Sequence, residues 1–387
     1  LPAKLKQQGY YTVHAGKYHV CHMCDAKTSP TPEAAGFDVN IGGSFYGAPG
    51  SYLPEKEYGN VKTPGRLKGL EAYYDDKLHL TEALTEESLV AVTPAVERAQ
   101  PFFLYLAHYA VHTPIEPHKQ YLKNYTLTVG EPSNEAEYAS MIEGMDASLG
   151  RVMSYLEDKN IADNTMVIFY SDNGGRVLGR GKKSLYGNWQ FNFPSRSGKA
   201  SNYEGGLRVP AVVKWPGKFN SGVSSSAPVV IEDIYNTVLD AAGQTTKSPA
   251  ETYGKSWVPY LTGKADNAEL EGREMYFIMP YRFNGTDYNG QLFANGGVEP
   301  SSAVINDDWK LLYFFSDERF ELYNLANDQE EQKNVLIEHS DVALDLVLKL
   351  DAYMKGTEVD DILPWRTNNK KTINWPLTAF NNFKKEL

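Results

Sequence analysis

Apolar positions along this chain follow two alternating rhythms. Short runs with almost no polar interruption occur at residues 11–15, 102–109, 166–170 and 209–215. They predict strands, the last three buried on both faces of a sheet. Between them the apolar spacing lengthens to three and four residues. Residues 80–98 predict a helix interrupted at Pro94, and residues 134–159 predict the clearest helix of the chain. Its apolar stripe is Tyr138, Met141, Ile142, Met145, Leu149, Val152, Met153 and Leu156. Residues 1–8 read as the end of a helix closed by Gly9, and residues 29–70, rich in Gly, Pro and Tyr, as a long loop region.

Strands separated by helices imply an α/β fold with a mostly parallel sheet flanked by helices. From about residue 265 the rhythm changes. Strand-like runs at 275–279, 303–305, 310–315 and 320–323 precede a helical run at 342–354. This predicts a smaller C-terminal α+β subdomain, a small antiparallel sheet plus a helix. The expected division is 1–264 for the main domain and 265–387 for the subdomain.

Composition excludes some classes of function. The 387 residues carry a net charge of -11, with 42% hydrophobic and 22% charged residues. No basic face is evident, so a nucleic-acid partner is not expected. No apolar run reaches 18 residues, so no membrane span is expected. An anionic substrate would need a local cationic pocket against the global field. The two cysteines, Cys21 and Cys24, form a Cys-His-Met-Cys with no second such pair, so a zinc site is not expected. Oligomeric state is not legible.

In parallel sheets ligands sit at the carboxyl ends of the strands. Reading those ends gives Gly16-Lys17-Tyr18-His19, Val111-His112-Thr113-Pro114, Ser171-Asp172-Asn173-Gly174-Gly175 and a loop with Gly198-Lys199. Asp172 and Asn173 are hard oxygen ligands suited to calcium, or less well magnesium. Lys17 and Lys199 are point charges for a sulfuryl or phosphoryl oxygen. His19 and His112 can exchange protons near neutral pH. Arg176, Arg180, Lys182 and Lys183 make a basic loop beside the acidic motif. It reads either as solvated charge or as contacts to further sulfates on a polymer. His118 lies close enough in sequence to His112 to touch substrate.

The ordered set resembles the sulfatase family. Gly16-Lys17-Tyr18-His19 is similar to the family's Gly-Lys-Trp-His element, and Gly36-Phe37-Asp38 follows. Pro101 through Leu106 leading to His112-Thr113-Pro114 resembles its strand and histidine motif, and Ser171 through Gly175 its calcium motif. Gly198-Lys199, Glu204 through Pro210, Trp309-Lys310-Leu311 and Glu321 through Leu325 continue the likeness. The resemblance implies an alkaline-phosphatase-like fold, hydrolysis of sulfate esters of a sulfated carbohydrate, and a periplasmic or secreted location. It implies that Lys17 and Lys199 grip sulfate, His112 protonates the leaving alcohol or holds the sulfate, His19 bonds the nucleophile's hydroxyl, and Asp172 and Asn173 hold part of a calcium shell.

The family's nucleophile is a formylglycine made in a Cys/Ser-x-Pro-x-Arg motif, beside a paired-Asp strand. Neither Asp75-Asp76 nor Asp307-Asp308 follows a buried strand, and Pro194-Ser195-Arg196 has Asn192 at the nucleophile position. The nucleophile is therefore expected upstream of Leu1, absent from this chain. Two alternatives stand beside a sulfatase: a phosphodiesterase or phosphonate monoester hydrolase of the same superfamily, and an inactive sugar-binding protein.

Overall fold

The computed structural model describes residues 1–20, 31–59, 67–75, 77–125, 134–176, 192–244, 253–263, 268–280, 299–357 and 374–386. They fall into two compact units. One comprises Leu1–Met166, Trp215–Ser221 and Glu232–Leu261; the other comprises Val167–Lys214, Gly222–Ile231 and Thr262–Leu387.

In the first unit, strands β1 (Tyr11–Gly16), β2 (Val39–Ile41) and β3 (Phe102–Ala107) form a parallel sheet in the order β2-β1-β3. The central strand is β1, and Thr12 through Ala15 are buried. Asp38 braces it by accepting from the Thr12 N–H and hydroxyl, both at 2.9 Å. The helices Leu80–Glu97 and Asn134–Asp158 belong to this unit. The first starts on His79, whose side chain takes the Thr81 N–H while Glu82 takes the His79 N–H at 3.2 Å.

Two local expectations change. Pro94 does not interrupt the first helix, which runs to Glu97. Proline leaves the carbonyl four residues earlier without a donor, and Val90 is 59% exposed, so water can serve it. In the second helix the buried line is Ala136, Ser140, Met141, Gly144, Ser148, Tyr155 and Leu156, while Ile142 is exposed. Small residues let the helices approach, and Ser148 Oγ meets Thr85 Oγ1 at 2.6 Å and His108 Nε2 at 2.8 Å.

In the second unit, β4 (Val167–Tyr170) and β5 (Ala211–Lys214) pair antiparallel. The expectation that all these strands lie buried on both faces also fails. Tyr105 on β3, Phe169 on β4 and Val212 on β5 are all exposed. An apolar run fixes the extended conformation, but only the packing of a second layer decides whether both faces are covered.

The C-terminal sheet matches its expected pattern. β6 (Glu274–Met279), β7 (Ser301–Asn306), β8 (Trp309–Phe314) and β9 (Phe320–Asn324) form an antiparallel meander. One face, with Val304, Leu311, Tyr313 and Leu322, packs on the helices Ser340–Gly356 and Pro376–Glu386 through Leu346, Val347, Leu350 and Phe380. The opposite face, with Ala303, Leu312, Phe314 and Tyr323, packs on Tyr203.

Candidate active site

The first group of candidate residues sits where β1 and β3 end. Gly16 has φ +103°, and a Cβ there would lie 1.9 Å from the Ala107 carbonyl oxygen. Glycine is therefore required for the two strand ends to meet. The next N–H, of Lys17, donates to the same oxygen at 2.7 Å. Lys17 is half-buried and His19 exposed. His19 has φ +42°, unusual for a residue with a Cβ, and its N–H donates to the Ser44 carbonyl at 3.0 Å. The Gly47 Cα lies so near the His19 ring that a Cβ there would come within 2.6 Å of it. Phe45 and Tyr46, on the same turn, place their rings 4.2 Å apart, and Phe45 is 43% exposed.

His112 is half-buried beyond the end of β3. Its Nδ1 lies 3.0 Å from the Thr113 carbonyl. The Thr113 hydroxyl lies 3.3 Å from the same nitrogen, so Nδ1 either donates to the carbonyl or accepts from the hydroxyl, and that choice sets whether Nε2 takes or gives a proton. The fully buried Tyr52 donates its hydroxyl to the His112 carbonyl at 2.9 Å. Tyr52 is itself held by Glu116, which accepts its N–H at 2.6 Å and the Ser51 hydroxyl at 2.5 Å.

The second group sits beyond β4. Asp172 is exposed and Asn173 half-buried. The Asn173 amide nitrogen donates to the Gly174 carbonyl at 2.9 Å, so its oxygen is the side-chain atom that could face a cation. The Gly174 N–H donates to Gly206 at 3.1 Å, and the Lys199 N–H donates to Gly175 at 3.0 Å. The lysine loop and the Asp172-Asn173 turn are thus one hydrogen-bonded assembly. Two hard oxygen donors fit calcium in kind. Among the described residues no cluster of three or more His, Cys, Asp or Glu side chains could hold a metal, so these residues can supply only part of a six- to eight-oxygen shell.

Several candidates stand elsewhere. His118 is 2% exposed, with Nε2 3.3 Å from Glu82 and its ring against His79 and Tyr121. It is a core histidine, which corrects the expectation of substrate contact. Arg176 is exposed. Arg180, Lys182 and Lys183 lie outside the described residues, as do Cys21 and Cys24.

Two side chains escaped sequence reasoning. Asn192 accepts the Gly175 N–H at 2.7 Å and donates to the carbonyls of Gly175 and Ser197 at 2.8 and 2.9 Å. Lys310 is fully buried on β8. A lysine inside the apolar run of that strand is the signal that marks it.

Residues 1–244 match the profile of the family described as Sulfatase, and residues 197–357 match N-sulphoglucosamine sulphohydrolase, C-terminal. A sulfatase of Formosa agariphila is 32% identical over 310 residues, covering 76% of this chain and 53% of the relative. The human N-acetylgalactosamine-6-sulfatase is 29% identical over 286 residues, covering 71% and 49%. The chain thus spans about half the length of the curated relatives it matches. The solved structure of Ps i-CgsB in complex with k-i-k-neocarrahexaose superposes with a TM-score of 0.70 at 25% identity, covering 91% of this chain and 73% of that one.

Proposed function

The chain belongs to the sulfatase family, and on that premise we propose that the protein hydrolyses sulfate esters of a sulfated carbohydrate. The observation that carries this reading is the hydrogen bond from Lys199 to Gly175, which fixes a cationic loop onto a turn presenting two oxygen ligands.

In this reading Lys17 and Lys199 hold the sulfate oxygens by charge, and their half-buried setting strengthens that attraction over bulk water. His112 exchanges the proton of the leaving alcohol or holds the sulfate at Nε2, with its ring oriented by Thr113 at Nδ1. His19 orients the nucleophile's hydroxyl. Asp172 and Asn173 give part of a calcium shell. A formylglycine would supply the attacking oxygen and a bound calcium positive charge, with the nucleophile and the remaining ligands placed by this reading in residues upstream of Leu1. The exposed Phe45 ring, paired with the half-buried Tyr46 on the turn whose Gly47 lies against His19, favours a sugar, because pyranose C–H faces stack on aromatic rings. The site of action would be periplasmic or extracellular.

The test starts from the intact mass and N-terminal sequence of the native protein, followed by sulfate release from a panel of sulfated sugars. A longer chain bearing Cys/Ser-x-Pro-x-Arg and calcium-dependent release are expected. A native chain without that motif, or release of phosphate or phosphonate alone, would overturn the reading.

A further inference from the structure

The contacts that hold the Lys199 loop converge on one buried cation. The Lys310 ammonium, with no exposed surface, lies 2.9 Å from Glu204 Oε1 and 2.8 Å from Glu331 Oε1. Glu204 opens the short helical turn Glu204–Leu207. Its N–H donates to Glu331 Oε2 at 2.7 Å, and its second oxygen accepts from Arg208 Nε at 2.7 Å. Around this cluster the Asn202 amide donates to the Ser301 carbonyl at 2.9 Å, and the Tyr203 hydroxyl donates to Glu321 at 2.6 Å. Arg196 donates to the Tyr323 hydroxyl and the Glu331 carbonyl, both at 3.0 Å, with its guanidinium 4.0 Å from the centre of the Tyr203 ring.

The same turn is the platform for the site residues. The Gly205 N–H donates to the Arg196 carbonyl at 2.8 Å, and Gly206 accepts from Gly174. A Cβ on Gly174 would lie 1.7 Å from the Gly205 oxygen. Any rotation of Glu204–Leu207 is therefore transmitted to both the Asp172-Asn173 turn and the Lys199 loop. A buried ion cluster is a poor source of stability, since apolar residues of similar volume often serve as well. What it supplies is direction. Two carboxylates hold one ammonium between them at 2.9 and 2.8 Å, and an arrangement that left the ammonium with fewer partners in the interior would be costly.

We propose that Lys310, with Glu204 and Glu331, is a positioning cluster that sets Lys199 and Asp172-Asn173 in register for sulfate binding. The proposal rests on the sulfatase reading for the ligand, but its mechanical part does not.

The test compares Lys310→Met, Glu331→Ala and Glu331→Gln with Leu346→Ala. Leu346 is buried in the sheet–helix core and touches none of these residues' hydrogen bonds. Two quantities are read in calcium-containing buffer: hydrogen exchange at the amides of Gly174, Lys199 and Gly205, and the Kd for inorganic sulfate. Lys310→Met and Glu331→Ala are expected to speed exchange at those amides and weaken sulfate binding by about tenfold or more. Glu331→Gln can keep the acceptor for the Glu204 N–H only by turning its amide NH2 towards the Lys310 ammonium, so it should loosen the same amides and weaken sulfate binding, though less than Glu331→Ala. Leu346→Ala should lower Tm and leave both readouts unchanged. If Lys310→Met does not fold, the two Glu331 variants give the same comparison. Unchanged exchange in Glu331→Ala, or equal loosening in Leu346→Ala, overturns the proposal. If the parent protein binds no sulfate, the sulfatase reading of Lys199 fails, while the exchange data still decide the positioning.

Discussion

Lys199 donates its backbone N–H to the carbonyl oxygen of Gly175 at 3.0 Å, a main-chain link between the loop with the cationic side chain and the turn with Asp172. The link does not depend on the lysine side chain. Lys199→Ala should therefore remove the charge without moving the turn. Turnover of a sulfated sugar is expected to fall about a hundredfold or more, the scale of losing a transition-state electrostatic contact. The rise in Tm on adding calcium should be unchanged. Loss of both together would mean that Lys199 is part of the fold rather than of the chemistry.

Asn192 bridges that assembly from the other side with three hydrogen bonds to backbone groups of Gly175 and Ser197. Asn192→Ala leaves those groups to water or unpaired. A net loss on the order of 1–3 kcal/mol in stability follows, together with a weaker response to calcium. Urea denaturation with and without calcium measures both.

Gly174 and Gly150 should respond to alanine with opposite signs. At Gly174 the new methyl meets the Gly205 carbonyl, a backbone atom that cannot swing away. The expected cost is about 3 kcal/mol or more, from overpacking against fixed main chain. Gly150 lies inside the helix Asn134–Asp158, and a methyl added there would meet no atom within 4 Å. Gly150→Ala should stabilise by roughly 0.5–1 kcal/mol through helix propensity. Melting curves of the two variants are sufficient.

Two core histidines make stability fall in mild acid. Burial pushes His108 down to about 4, and burial with the neighbouring His118 does the same to His79. Their unfolded value is about 6.5. Between pH 6.5 and 4 the unfolded chain binds protons that the folded chain does not, so stability is full above that window and declines as pH falls through it. Each histidine should cost about 2 kcal/mol by pH 5. His108→Gln, which keeps a donor for Ser148, should be less stable at pH 7.5 yet show a shallower decline in urea denaturation down to pH 5. An identical slope would show that His108 protonates without unfolding.

Phe45 tests the sugar reading. Phe45→Ala should raise KM for a sulfated oligosaccharide about tenfold, the scale of one lost aromatic contact. A small aryl sulfate should be affected less than about twofold, because it has no second ring to stack. Equal effects on both substrates would remove Phe45 from sugar recognition.

The strands and the motif set were legible because they rest on local rules. An unbroken apolar run such as Phe102–Ala107 favours strand whatever surrounds it, and Gly16 before Lys17 marks a tight strand end. The C-terminal meander was legible too, since short strand-like runs at 275–279, 303–305, 310–315 and 320–323 precede a helical run. The order of motifs from Lys17 to Lys199 identified the family without any geometry.

Tertiary structure alone decided the rest. Pattern could not tell that Tyr105, Phe169 and Val212 would be exposed, because coverage depends on the layer opposite. His112 and His118, six residues apart, look alike in sequence; only packing against Glu82 and His79 turned one into core. Asn192 looked like a failed nucleophile position until its amide was seen clamping Gly175. Lys310 and Glu204 are 106 residues apart, and no local rule pairs charges across that distance. Burial forces them together, because neither could stay ionised in the interior without the other.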